Sequence, residues 1–226
     1  MPTSAFFLFV NCVGSNKKEY LLKHTNRYVR MNHLMSTRDQ ILSKNYEAMC
    51  LHGFQGLRTD KVINDLGITK GAFYHYFSGK KELGYAIVDE IIAPHYISNF
   101  KRLEGAERVI DAIIEALESI RACSTEDNVH IGCPLNNLIQ EMSPLDSTFR
   151  NKLNHILKTQ KELLADALKR GMGSGEIKKD IEPEEVALYI LASIEGTYTL
   201  AKSFQSKKVF DQSMDQLTGY IKMLKG

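Results

Sequence analysis

Tryptophan is absent from these 226 residues, and proline (five) and cysteine (four) are scarce. No run approaches the ~18 consecutive apolar residues that a membrane-spanning helix needs, so no membrane partner is expected. Cys12, Cys50, Cys123 and Cys133 form no CxxC pair, and the seven histidines form no cluster at ligand spacing. Neither a disulfide framework nor a metal site is predicted, and free thiols fit a reducing cytoplasm. No nucleophile–base pairing, phosphate-binding glycine loop or metal spacing appears, so neither enzymatic activity nor a cofactor is expected. Scarce proline and long periodic segments point to helices rather than short, turn-rich strands.

What is present is a balanced globular composition, 43% hydrophobic and 25% charged, which excludes a disordered or collagen-like chain. The chain is long enough to bury a sizeable core. Its charge is uneven. Residues 1–35 hold five basic residues against one acidic, and residues 36–81 hold seven against four. Everything after residue 81 carries a net charge of −5. A basic module ahead of an acidic body is expected if only the first touches a polyanion, although ordinary scatter in surface charge gives the same count.

Three segments follow. Residues 1–34 open with the apolar run Ala5-Phe6-Phe7-Leu8-Phe9-Val10 and then turn basic. A signal peptide has the opposite order, with its charge first. Met31 and Met35 stand just before the first helical pattern, so 1–34 reads as an extension or a mis-assigned start. Residues 35–82 form the second segment and 83–226 the third.

From Thr37, Ile41, Leu42, Ala48 and Met49 share one helical face, ended by Gly53. The next segment, TDKVINDLGITKGAFYHYF at 59–77, carries the main signal. Thr59 is placed as the cap of a short helix with Val62, Ile63 and Leu66 inside. Gly67 supplies cheap positive φ for a sharp turn, Ile68 fills the corner, and Thr69 caps a second helix. Ala72, Phe73, Tyr76 and Phe77 give that helix its inner face. Lys70, Gly71, Tyr74 and His75 are left outside. Two short helices joined by such a turn form a helix-turn-helix, whose second helix enters the DNA major groove. A lysine for phosphate, a glycine for close approach, and Tyr and His donors for phosphate or base edges suit that role. Lys80 opens the next helix within reach of a flanking phosphate. An αα-corner in any helical protein has the same spacing.

Residues 37–83 resemble the DNA-binding domain of the tetracycline-repressor (TetR) family of bacterial transcription regulators. The matching pieces are T-R-x-x-I-L at 37–42, Gly53-Phe54, Gly67-Ile68-Thr69, K-G-A-F-Y-H-Y-F at 70–77, and Lys80 with Leu83. The resemblance implies an all-α protein, with a three-helix DNA-binding domain followed by a helical ligand-binding and dimerisation domain. It implies that Thr59, Lys70, Gly71, Tyr74, His75 and Lys80 contact or position DNA. Arg58 stands where many members carry a Ser or Thr cap, and is assigned to a phosphate. Thr69, whose helix N-terminus favours an anion, joins the set.

The third segment begins with a long helix, expected to bend or fray at Pro94. Further helices are expected over 106–123, 132–142 and about 145–170. Gly171-Met172-Gly173-Ser174-Gly175 reads as a flexible break, and Pro183 as the first turn of another helix. Val186, Ile190, Ile194, Thr197 and Ala201 form one stripe there, and Phe210, Met214, Leu217, Ile221 and Leu224 another on the last helix. Such stripes are either core or interface; the family resemblance implies a homodimer through these last two helices. It also implies a small-molecule effector of unknown identity. Candidate lining residues are Tyr96, Phe100, Phe149, Tyr189, Glu195 and Tyr198, each of which has a plain core reading as well. Cys133, near a helix N-terminus, is either a thiol of lowered pKa suited to redox or electrophile sensing, or a buried inert one. The expected function is regulation of transcription at a palindromic double-stranded DNA operator, most simply repression relieved by the effector. The alternative is a helix-turn-helix protein without a small-molecule effector, either an activator or partner-regulated.

Overall fold

The computed structural model describes residues 36–226; the predicted extension at 1–34 lies outside them. The described residues form an all-α protein of two compact units, 36–92 with 137–152, and 93–136 with 153–226. The expected boundary at residue 82 therefore falls inside the first unit.

In the first unit, α1 (Thr37–Gly56) starts at Ser36, whose Oγ accepts the amide of Asp39. Ile41, Leu42, Tyr46 and Met49 are its buried face. Gly53, at φ 73°, ends the regular helix before Phe54–Gly56 add a further turn. Then come α2 (Thr59–Asp65), α3 (Lys70–Tyr76) and α4 (Lys80–Ile87). The N-terminal end of α4 is tied to residues 137–152. Gly84 lies against Phe54 and Phe149, where an added Cβ would stand 2.4 Å from one ring and 2.7 Å from the other. Lys81, the Phe149 amide and the Tyr85 hydroxyl hold the Asp146 carboxyl down to about 2.

Beyond α4 the helix widens into a π turn at Val88–Ile92 before α5 (Ala93–Lys101) resumes α-helical bonding. The disturbance sits one turn ahead of Pro94, which has no N–H for the Glu90 carbonyl and crowds it with its ring.

The second unit contains α5, α6 (Val109–Cys123), α7 (Glu126–Ile131), the start of α8 (Pro134–Met142), most of α9 (Ser147–Ser174), α10 (Pro183–Phe204) and α11 (Lys207–Met223). Its core is built from Phe100, Ile113, Leu117, Leu164, Leu168 and the two C-terminal stripes. Phe210, Met214, Ile190 and Ala201 are completely buried within the protomer. The stripes thus serve as core. The break foreseen at 171–175 is not one: α9 runs on to Ser174 and only Gly175 turns, at φ 82°. Gly171 is a packing residue, since a Cβ there would lie 2.6 Å from Ile177 Cδ1.

Candidate nucleic-acid interface and effector cavity

The helix-turn-helix lies wholly in the first unit. Gly67 adopts φ 66°, and the Gly67 and Ile68 amides return to the carbonyls of Asn64 and Ile63 at 3.0 and 3.3 Å. This closes the turn between α2 and α3. Thr69 caps α3, its Oγ1 accepting the amide of Ala72 at 3.1 Å. Phe73 and Phe77, one helical turn apart, are 2% exposed and anchor α3 to the unit, their ring centroids 5.9 Å apart. A helix of seven residues with two buried anchors on one side must present the other side to solvent. Lys70, Gly71, Tyr74 and His75 all lie there, with Tyr74 61% exposed. The chemistry on offer is a cation, a bare backbone and two aromatic donors on one edge.

Three expectations change. Thr59 is the first helical residue and Arg58 occupies the cap position, which no side-chain bond fills. Arg58 instead pairs with Asp60 at 2.9 Å, an exposed bridge that a phosphate can displace. Tyr76 faces outward rather than into the core, with its ring against His75. Lys80 donates to the Gln55 carbonyl at 2.9 Å and lies over the Phe54 ring, and partial burial lowers its pKa. Its ammonium already bonds within the first unit.

Sequence reasoning missed Glu141. Its two oxygens accept the amides of Phe54 and Gln55 at 2.8 and 2.6 Å, just after the backbone break at Gly53. Its partners are 87 and 86 residues away, so no local pattern could mark it.

The second unit holds a small, partly open cavity lined by Tyr96, Phe100, Glu195 and Tyr198 among others. Four of the seven candidate effector residues thus meet. Phe149 does not: it belongs to the first unit, its centroid 4.8 Å from those of both Phe54 and Tyr85. Tyr189 is half exposed, packs on Tyr220 and is absent from the lining.

Cys133 adjoins the cavity. Its Sγ accepts the Asn136 amide at 3.4 Å, capping α8, and lies 3.3 Å from the Tyr96 hydroxyl. Burial pushes the thiol well above its ordinary pKa, and the neighbouring Glu195 carboxyl pushes it further. The thiolate suited to redox or electrophile sensing is therefore disfavoured; the inert reading fits. Sequence reasoning overlooked His95 and Gln160. His95 lines the cavity as a neutral imidazole, its pKa lowered by burial to about 4. Gln160 donates to the Tyr96 carbonyl at 2.8 Å. Ser124 gives its one proton to the Ile120 carbonyl, so the Tyr198 hydroxyl donates to Ser124, at 2.7 Å. Glu195 is different: its Oε2 is closed off from solvent without a hydrogen-bond partner. Burial raises the carboxyl to about 7, with the nearby Cys133 thiol acting in the opposite direction.

A capped recognition helix with an exposed polar edge defines a helix-turn-helix DNA-binding protein. The model of bacterial regulatory proteins of the tetR family matches residues 41–87, and that of the tetracyclin repressor-like C-terminal domain matches 106–217. An uncharacterised HTH-type transcriptional regulator of Lactococcus lactis is 28% identical over 81% of this chain and 92% of its own length. The HTH-type transcriptional repressor NemR of Escherichia coli is 24% identical over 88% of this chain and 96% of its own. The fold is shared with a TetR transcriptional regulator from Chloroflexus aurantiacus, at TM-score 0.72 and 22% identity over 84% of this chain and 96% of that one. The chain belongs to the TetR family of bacterial transcription regulators, whose members bind DNA and act as dimers. No helix among the described residues is long and apolar enough to cross a membrane.

Proposed function

We propose that the protein is a homodimeric repressor that holds a palindromic operator through Lys70, Gly71, Tyr74 and His75 and leaves it when a small molecule enters the cavity of the second unit. The observation that carries the DNA-binding assignment is the division of α3, with Phe73 and Phe77 buried and the Lys-Gly and Tyr-His edge exposed. Arg58, Thr59 and Thr69 border that edge and are assigned to positioning on phosphate. Lys80 keeps such a role only by giving up its bond to Gln55. A single recognition helix reads few base pairs, so a twofold dimer on a symmetric site supplies the affinity.

The interface in this reading uses the outer face of α10 rather than its buried stripe. Leu188, Leu200 and Phe204 are 60%, 48% and 67% exposed, and Ala192 and Gly196 complete the row at four-residue spacing. Small residues between large apolar ones let two helices approach closely. Effector-dependent release is typical of the family, and a coupling of about 1–3 kcal/mol gives roughly 5–150-fold weaker operator binding.

Footprinting on DNA around the protein's own gene, followed by binding of variants, tests the assignment. Lys70→Ala is expected to weaken binding to every sequence and lower the slope of log affinity against log salt by about one, whereas Tyr74→Ala changes sequence preference. Equal, salt-independent losses in both would refute these roles.

A further inference from the structure

We propose that the cavity of the second unit takes a small organic cation whose ammonium group pairs with the Glu195 carboxylate. This deepens the repressor reading by naming the chemical class of its effector, and rests on that reading for its regulatory meaning only.

The geometry comes first. Oε2 of Glu195 is buried at the cavity without a partner, a costly arrangement that a bound cation would relieve. Three nearby polar groups are already engaged elsewhere: the Tyr198 hydroxyl with Ser124, the Tyr96 hydroxyl with Cys133, and the Gln160 amide with the Tyr96 carbonyl. No lysine or arginine lines the cavity, so nothing there favours an anion. The titratable groups around Glu195 are His95 and Tyr96 of α5, Cys123 of α6, Cys133 at the cap of α8, and Tyr198 of its own helix. None of them carries a positive charge at neutral pH, since burial keeps His95 neutral. Tyr96, Phe100 and Tyr198 put aromatic rings, which can attract a cation, in the lining, and Ile120, Leu191 and Ile194 add apolar surface for its body.

The proposal also fixes a pH dependence. The cation needs Glu195 ionised, and the empty site holds that carboxyl at about 7. Cation affinity therefore falls as pH drops below 7, approaching about tenfold per unit, because each binding event must release a proton. His95 plays no part until about pH 4.

The experiment is isothermal titration of the full chain with three matched probes: phenethylammonium, 2-phenylethanol and phenylacetate. At pH 7.5 the cation is expected to bind at least tenfold more tightly than the alcohol, and the acid not at all at millimolar concentration. Lowering the pH to 5.5 should weaken the cation more than tenfold and leave the alcohol unchanged. Glu195→Gln should reduce cation affinity to that of the alcohol, and the wild-type pH series gives the same information should that variant fold poorly. Tightest binding by phenylacetate, undiminished cation binding in E195Q, or no cation binding at millimolar concentration would overturn the proposal. A gel shift on DNA upstream of the protein's own gene separates the two readings. Cation binding with this profile but no DNA binding upholds the cavity chemistry and sinks the repressor; DNA binding without cation preference does the reverse.

Discussion

The two units treat the polar groups proposed for recognition in opposite ways. In the first, Lys70, Tyr74 and His75 stand in water on a helix whose stability comes from Phe73, Phe77 and a side-chain cap. Solvent satisfies them while DNA is absent. In the second, Glu195 lines a cavity with one carboxyl oxygen buried and unmet. An exposed polar edge therefore adds little strain to folding, whereas a buried carboxyl oxygen without a partner destabilises the protein.

The strongest way to sharpen that contrast is Glu195→Gln. The folded carboxyl titrates near 7 against 4.5 unperturbed, so the benefit of its protonation is complete below about 4.5 and lost as pH rises through 7. Above that the ionised group costs the fold up to roughly 3 kcal/mol. The amide variant should raise Tm by about 5 °C or more at pH 8, less at pH 5.5, and negligibly at pH 4. A gain independent of pH would break the comparison. Next in size is Gly84→Ala, which forces a methyl between Phe54 and Phe149 and should cost about 1–3 kcal/mol in thermal or denaturant unfolding. An unchanged Tm would show that this contact yields. The smallest effect, Gly71→Ala, has the opposite sign. An added Cβ meets nothing closer than Thr69 Oγ1 at 3.8 Å, so the free protein should gain up to about 1 kcal/mol while operator affinity falls. Unaltered DNA binding would remove the case for close backbone approach at that edge.

The recognition helix was legible because its determinants are local. A glycine for positive φ, a threonine cap and two phenylalanines four residues apart fall within eleven residues. A pattern misleads where it runs past the contacts that support it. Tyr76 is three residues from Phe73, but α3 ends there and its narrow contact is filled by Phe73 and Phe77. For the cavity, Glu195 and Tyr198 are three apart and share a face. Tyr189 and Tyr198 are nine apart, which places them about half a turn out of phase at 100° per residue, so one pocket could not hold both. Phe149 had none, because its partners lie far away in sequence and a lone aromatic in a helix says nothing about which core it joins. The glycine-rich run at 171–175 was misread for a related reason: the demand for a missing side chain at Gly171 comes from Ile177, through packing rather than turning.

The grip of Glu141 on the two amides after Gly53 leaves a mark on how this molecule can vary. A Cβ at position 53 would sit 2.9 Å from the Glu141 carboxylate, at a φ of 73° that already disfavours one. Shortening residue 141 frees that space while orphaning both amides, so the penalties of altering 53 and 141 together should fall short of their sum. Descendants of this chain would then change the pair in concert or keep both.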